Sequence, residues 1–151
     1  RFMPENASLA GLSNRSNCGI IMKAVGYRKA GPVSASGALE DIVLPAPSPQ
    51  GRDILVAVMA VSVNPVDTKV RRGIEPPDNQ YKILGWDAAG VVVATGPDAR
   101  LFKQGDEVFY AGSLDRTGTN SEYHLVDERI VGRKPKSLGF AAAAAMPLRN
   151  V

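Results

Sequence analysis

The stretch that most constrains the fold is residues 83–96, Ile-Leu-Gly-Trp-Asp-Ala-Ala-Gly-Val-Val-Val-Ala-Thr-Gly. Gly85 and Gly90 bracket a loop that feeds Val91, Val92 and Val93, and Gly96-Pro97-Asp98 supplies the turn that ends the run. A short β-branched apolar run bounded by turn residues reads as a buried strand. A second turn at Gly105-Asp106 starts another strand at Glu107.

The flanking sequence extends this pattern. Strands are expected over residues 23–27, 39–44, 53–63, 88–94, 107–110, 121–126 and 130–131. Residues 28–38 read as a Gly/Ser/Pro loop, and Pro45, Pro47 and Pro49 stiffen the connector after the second strand. Residues 53–63 are apolar on both faces, as in a strand buried on both sides. A short helix over 65–72 carries full punctuation. Asn64 is a good N-cap, Pro65 suits the first helical position, and Gly73 suits the stop. Asp67 falls in the first turn and Arg71-Arg72 in the last, each with the sign the helix dipole favours. Ser137 is expected to cap an alanine-rich helix over 140–146 that Pro147 ends. In the strand over 121–126, Tyr123 and Leu125 are assigned to one face, and Glu122 and His124 to the polar, surface-facing one.

Composition narrows the function classes. The 15 glycines and 11 prolines suit many turns and short strands. One cysteine excludes an intramolecular disulfide framework, and one histidine beside it leaves few soft zinc ligands. No apolar run approaches the ~18 residues of a membrane span. The absence of a disulfide framework and of an apolar leader core points to the cytoplasm. The net charge of +3 is mild, and its basic doublets, Arg71-Arg72 and Arg133-Lys134, read as solvated surface rather than a nucleic-acid patch. Residues 1–21 differ in composition and form an extension, either a disordered leader or a targeting segment. Glu5 and the low arginine count speak against targeting. Cys18, within that extension, is given no reactive role.

The pattern Gly85-x-Asp87-x-x-Gly90-x-Val92, followed by Gly105-Asp106-x-Val108, resembles the GroES-like catalytic domain of the medium-chain dehydrogenase/reductases. The likeness runs over residues 22–148. It is similar in particular to the zinc-independent branch that holds the quinone oxidoreductases and the zinc-type alcohol dehydrogenase-like proteins. The resemblance implies a mainly β fold with short helices, a partly open β-barrel over residues 22–139. Residues 140–151 would begin a linker helix toward a dinucleotide-binding Rossmann domain. No Gly-x-Gly-x-x-Gly turn for a pyrophosphate occurs in this sequence, so the chain is expected to be a catalytic domain cut off at that linker. The implied activity is hydride transfer from NADPH to a quinone or an activated alkene. The implied partner is a small molecule, not nucleic acid or membrane, and homo-oligomers are compatible with the family.

Two motifs carry the candidate site. In zinc-dependent relatives the turn at Asn64 supplies a metal-binding cysteine, and the position of Trp86 supplies a histidine. Amide and indole are non-ligands beside thiolate and imidazole, so no zinc is expected. Asn64 and Asp67 are the catalytic candidates, with Asn64 expected to donate a hydrogen bond that polarises a substrate carbonyl. Asn64, Pro65, Lys69, Trp86 and Asp87 are the pocket candidates, and Asn64 and Asp67 also cap the helix. Trp86 reads equally as a pocket wall stacked on a planar substrate or as plain core. The sequence presents no clear general acid. A rival reading is a non-catalytic domain that binds a partner or has no activity of its own.

Overall fold

The computed structural model describes residues 20–148. The expectations for most of the extension, for Cys18 and for the end of the linker lie outside the described residues. In chain order the elements are β1 (Ile21–Tyr27), β2 (Glu40–Pro45), β3 (Asp53–Ser62), α1 (Pro65–Gly73), β4 (Lys82–Ile83), β5 (Asp87–Thr95), β6 (Glu107–Ala111), β7 (Tyr123–Asp127), a 3-10 turn (Glu128–Ile130), β8 (Val131–Arg133) and α2 (Phe140–Ala144). The fold is mostly β with two helices, as expected. The strands form two antiparallel sheets rather than a closed barrel, in the orders β2-β1-β4 and β7-β3-β5-β6-β8. Ile21 already pairs with Pro45, so the sheet reaches into the last residue assigned to the extension.

β3 and β5 are the spine of the larger sheet. Ile54, Val56, Ala88, Val92, Val108, Tyr110 and Val126 form one cluster on its inner face. Each large aliphatic side chain so buried contributes roughly 1.5–3 kcal/mol. Gly90 lies where β5 crosses β3, and a Cβ there would stand 2.2 Å from the Ala57 carbonyl oxygen. Only glycine fits this approach. The sheet also curls. Tyr110 on β6 stacks on His124 of β7, with ring centroids 5.6 Å apart, although β3 and β5 separate their strands in the sheet order.

Irregularities in β3 correct the expectation of burial on both faces. Its register against β5 shifts between Leu55 and Val56 and again between Val58 and Ala60. Ile54, Leu55 and Val56 are buried, but Met59, Val61 and Val63 are exposed, Val63 at 75%. A bulge reverses which side chains face inward, and alternation read from sequence does not register it.

The helices differ in smaller ways. α1 starts where expected, with the reciprocal Asn64 and Asp67 capping box and Pro65 in the first turn. Gly73 is its last residue rather than a left-handed stop, and Ile74 leaves in extended conformation. α2 ends at Ala144, and its N-cap is Gly139 rather than Ser137, which lies in the preceding turn. Ala143 and Ala144 pack on Ala89, with Ala60, Phe109, Leu138 and Phe140 around them. The Lys134 ammonium donates to the Leu138 carbonyl at 2.6 Å and pairs with Glu107, which ties the approach to α2 to β6.

Three polar residues assigned to the surface are buried. Arg71 is 5% exposed. Its guanidinium donates to the carbonyls of Ala38, Lys29 and Gly31 and lies over the Tyr27 ring, so it fastens the loop over residues 28–38. Lys134 is the second, half-buried as a residue but with its side chain only 6% exposed. His124 is the third, because β7 begins at Tyr123 and places His124 and Val126 on the inner face.

Candidate functional site

The site is built where β3 runs into α1 and where the segment after β4 enters β5. Asn64 has extended backbone geometry and turns the chain from β3 into the helix. Its backbone N–H donates to Asp67 Oδ2 at 2.7 Å. The other Asp67 oxygen, Oδ1, accepts the Gly85 N–H at 2.9 Å. Gly85 sits at φ +95, and a Cβ there would lie 2.6 Å from both Thr119 Oγ1 and Asn120 Oδ1. The left-handed backbone and the crowding together require glycine. The segment over 118–120 lies against 83–85, with N–H groups of Gly118, Thr119 and Asn120 donating to carbonyls of Ile83, Gly85 and Leu84.

Asp87, the first residue of β5, is 0% exposed. Its Oδ2 accepts the Asn64 side-chain Nδ2–H at 3.0 Å and the Leu148 backbone N–H at 3.3 Å. Its Oδ1 is buried without a hydrogen-bond partner. Burial pushes the Asp87 carboxyl above its ordinary value, the Asn64 and Leu148 donors pull it back, and the Asp67 carboxylate adds to the rise. Two buried carboxylates therefore share Asn64, and no ion pair among the described residues includes either of them.

The candidates separate into those the fold brings together and those it does not. Asn64, Asp67 and Asp87 form one hydrogen-bonded unit. Trp86 is its sequence neighbour, but its side chain is 2% exposed, packs with Tyr27, Val70 and Leu84, and donates Nε1–H to the Ser113 carbonyl at 3.2 Å. It is core here, under the site rather than lining it. Pro65 and Lys69 lie on the exposed side of α1, opposite the buried Asp67, Val70 and Arg71. The Ser62 carbonyl, which receives the second Asn64 amide hydrogen at 3.4 Å, and the Leu148 N–H were not among the candidates. Backbone groups leave no mark in a sequence motif.

A second buried polar unit lies beside this one. His124 Nε2 is 2.9 Å from the Thr117 carbonyl and Nδ1 is 3.0 Å from the Tyr110 hydroxyl. A carbonyl only accepts, so Nε2 carries the hydrogen and Nδ1 accepts from Tyr110. Burial holds His124 down at about 4, well below its ordinary 6.5, and the Thr117 contact opposes this only in part. Burial also pushes the Tyr110 hydroxyl well up. Together with the bidentate Arg116 pair to Asp53, at 2.9 and 2.6 Å, His124 fastens the loop over 112–121 to β3 and β7.

Residues 50–147 match the alcohol dehydrogenase GroES-like domain. The chain belongs to that family. A zinc-type alcohol dehydrogenase-like protein of Staphylococcus epidermidis is 39% identical over 130 residues, which cover 86% of this chain and 38% of that protein. A Rhizobium etli CFN 42 crystal structure, provisionally named a zinc-dependent alcohol dehydrogenase, is 64% identical. It superposes with a TM-score of 0.83 over 85% of this chain and 37% of that one. The quinone oxidoreductase of Coxiella burnetii is 28% identical, with a TM-score of 0.76 over 85% of this chain and 41% of that one. The chain thus spans well under half the length of these GroES-like relatives. No helix among the described residues is long and apolar enough to cross a membrane.

Proposed function

We propose that this GroES-like chain forms one wall of the active site of a zinc-independent oxidoreductase that uses a nicotinamide cofactor to reduce a quinone or an activated alkene. The observation that carries the reading is the Asn64 to Asp87 hydrogen bond at 3.0 Å, which joins the two family motifs into one polar unit at the mouth of α1. The likeness to a quinone oxidoreductase supports the reaction class.

Zinc independence rests on the donor set. The Asn64 amide is engaged with Asp87 and Ser62, and the Trp86 indole is turned into the core. No group of three or more His, Cys, Asp or Glu residues among those described could hold a metal ion. The names of some relatives mention zinc, and the proposal of zinc independence draws its support from this site's own donor chemistry.

The nicotinamide cofactor, NADPH in this proposal, supplies the hydride when bound. The described residues fit its nicotinamide end and not its pyrophosphate, for which they offer no glycine-rich turn. The chain's own contribution is to position and to exclude water, with Asn64 and Asp87 fixing the polar edge of the wall.

The test is NADPH oxidation by the longer polypeptide that carries this domain, with a simple quinone as acceptor, before and after exhaustive treatment with a zinc chelator. Turnover that survives the chelator supports the proposal. Turnover that appears only with added zinc overturns it.

A further inference from the structure

Arg71 is a buried cation without a carboxylate. It lies in the last turn of α1 and is 5% exposed, yet no ion pair among the described residues includes it. Part of its fork of N–H donors is committed to the loop over 28–38. Nε donates to the Ala38 carbonyl at 2.7 Å, and Nη1 donates to the carbonyls of Lys29 at 2.9 Å and Gly31 at 3.1 Å. The Tyr27 ring covers one face of the guanidinium. Nη2 donates to nothing among the described residues. It is not sealed away either, since the buried polar side-chain atoms left without a partner are Asp87 Oδ1 and Thr119 Oγ1. Three carbonyls thus hold the guanidinium still, and its remaining donors reach solvent. Carbonyls ease the burial of a cation but bring no charge to offset it. Neighbouring residues add to the excess. Arg28, Lys29 and Arg72 are exposed along the same loop and helix end, and none of them forms an ion pair. Arg28 lies over the Tyr81 ring instead. The carboxylate bonded into this loop is that of Glu75, whose Oε2 accepts the Ala30 N–H at 2.8 Å.

We propose that Arg71 Nη2, with the side chains of Lys29 and Arg72, forms a binding site for a small tetrahedral oxyanion of the phosphate class. A carboxylate is matched best by two parallel N–H groups on adjacent nitrogens of an arginine. Nε and Nη1 are held by carbonyls here, so an anion meets Nη2 end-on. A planar carboxylate then loses its second parallel bond. A phosphate keeps further oxygens to draw in the Lys29 ammonium and the Arg72 guanidinium. The bound anion supplies the countercharge that Arg71 lacks. The site lies at the opposite end of α1 from Asn64, and it stands whether or not the proposed oxidoreductase reading does.

The experiment is an NMR titration of the isotope-labelled 151-residue chain at neutral pH and constant ionic strength, set with chloride. It follows the Arg71 Nε–H and the backbone amides of Lys29, Gly31 and Ala38. The probes are inorganic phosphate, glycerol 3-phosphate and acetate. The expected result is a saturable shift of these resonances with inorganic phosphate or glycerol 3-phosphate and none with acetate. Tighter binding of glycerol 3-phosphate assigns the anion to an organic phosphate ester, and the reverse assigns it to the free ion. Replacing Lys29 and Arg72 together by alanine leaves the three carbonyl contacts of Arg71 in place and should weaken binding of the phosphate probes several-fold. Replacing Lys103 and Lys136 together by alanine, two exposed lysines outside this loop and α1, removes the same charge and should leave the affinity unchanged. No saturable shift with either phosphate probe, an equal shift with acetate, or equal weakening in the two double variants overturns the inference.

Discussion

Acidification should unlock the loop over 112–121 through one residue, His124. In the folded chain this imidazole is 4% exposed, donates to Thr117 and accepts from Tyr110, and is held down at about 4. In the unfolded chain it returns to about 6.5. The folded state thus resists a proton that the unfolded state accepts, and the stability contributed by the neutral ring is complete above about pH 6.5. It is lost as pH falls toward about 4, below which His124 adds no further slope. The difference of about 2.5 units corresponds to about 3 kcal/mol, a large share of the stability of a domain this size. Other groups act in the same range. Asp87, raised by burial, opposes the loss as it takes up its proton, and Asp127, held low first by the Arg129 side chain, gives stability that disappears only at lower pH. The comparison must therefore be between variants. Unfolding free energies from urea titrations across this range should fall steeply for the wild type and by about 3 kcal/mol less for His124→Gln. If that variant does not fold, titration of the His124 ring protons in the folded wild type gives the same information. Equal slopes for the two proteins, or a ring that titrates near 6.5 in the folded state, would refute the reasoning.

Other predictions follow from single contacts. Gly90→Ala should destabilise by about 1–3 kcal/mol or abolish folding, because its Cβ would meet the Ala57 carbonyl oxygen at 2.2 Å, and thermal unfolding measures this. Gly37→Ala meets no neighbouring atom and should cost about 1 kcal/mol from its positive φ alone. Arg71→Met should cost about 1–3 kcal/mol, since three carbonyls lose their donor, and should raise hydrogen exchange in the loop over 28–38. The isolated 151-residue chain should show no NADPH-dependent quinone reduction in a stopped assay, since the relatives it resembles are more than twice its length and proximity of both reactants contributes roughly 7–11 kcal/mol.

The sequence made the β elements legible because their signals are local. Val91 to Val93 between glycines, Asn64-Pro65 before α1 and Gly105-Asp106 before β6 each declare an element without reference to the rest of the chain. What it concealed depends on partners far away. His124 was assigned to a polar surface because alternation in its strand allows either face. The Tyr110 hydroxyl that makes burial tolerable comes from a strand three places away in the sheet. Arg71 looked like half of a solvated doublet, and only the fold brings three carbonyls of a remote loop around it. Ser137 was a reasonable cap by type, but a turn before α2 left that place to Gly139. At the site, Asn64, Asp67 and Asp87 were legible as motif positions. The direction of the Asn64 amide was not, since it is set by the Ser62 carbonyl and the Asp87 carboxylate together. Nor did composition predict where apolar surface is exposed. Trp86, Ala143 and Ala144 are buried, while Met59, Val61 and Val63 on β3 and just beyond it are open.

The most direct measurement of the central claim is kcat/KM for NADPH-dependent quinone reduction by the longer polypeptide, compared between wild type, Asn64→Ala and Lys69→Ala. Asn64 belongs to the hydrogen-bonded unit with Asp87, and Lys69 lies on the outer face of α1. The account predicts a loss of roughly tenfold or more for Asn64→Ala and no change for Lys69→Ala. Equal rates for wild type and a folded Asn64→Ala would contradict it.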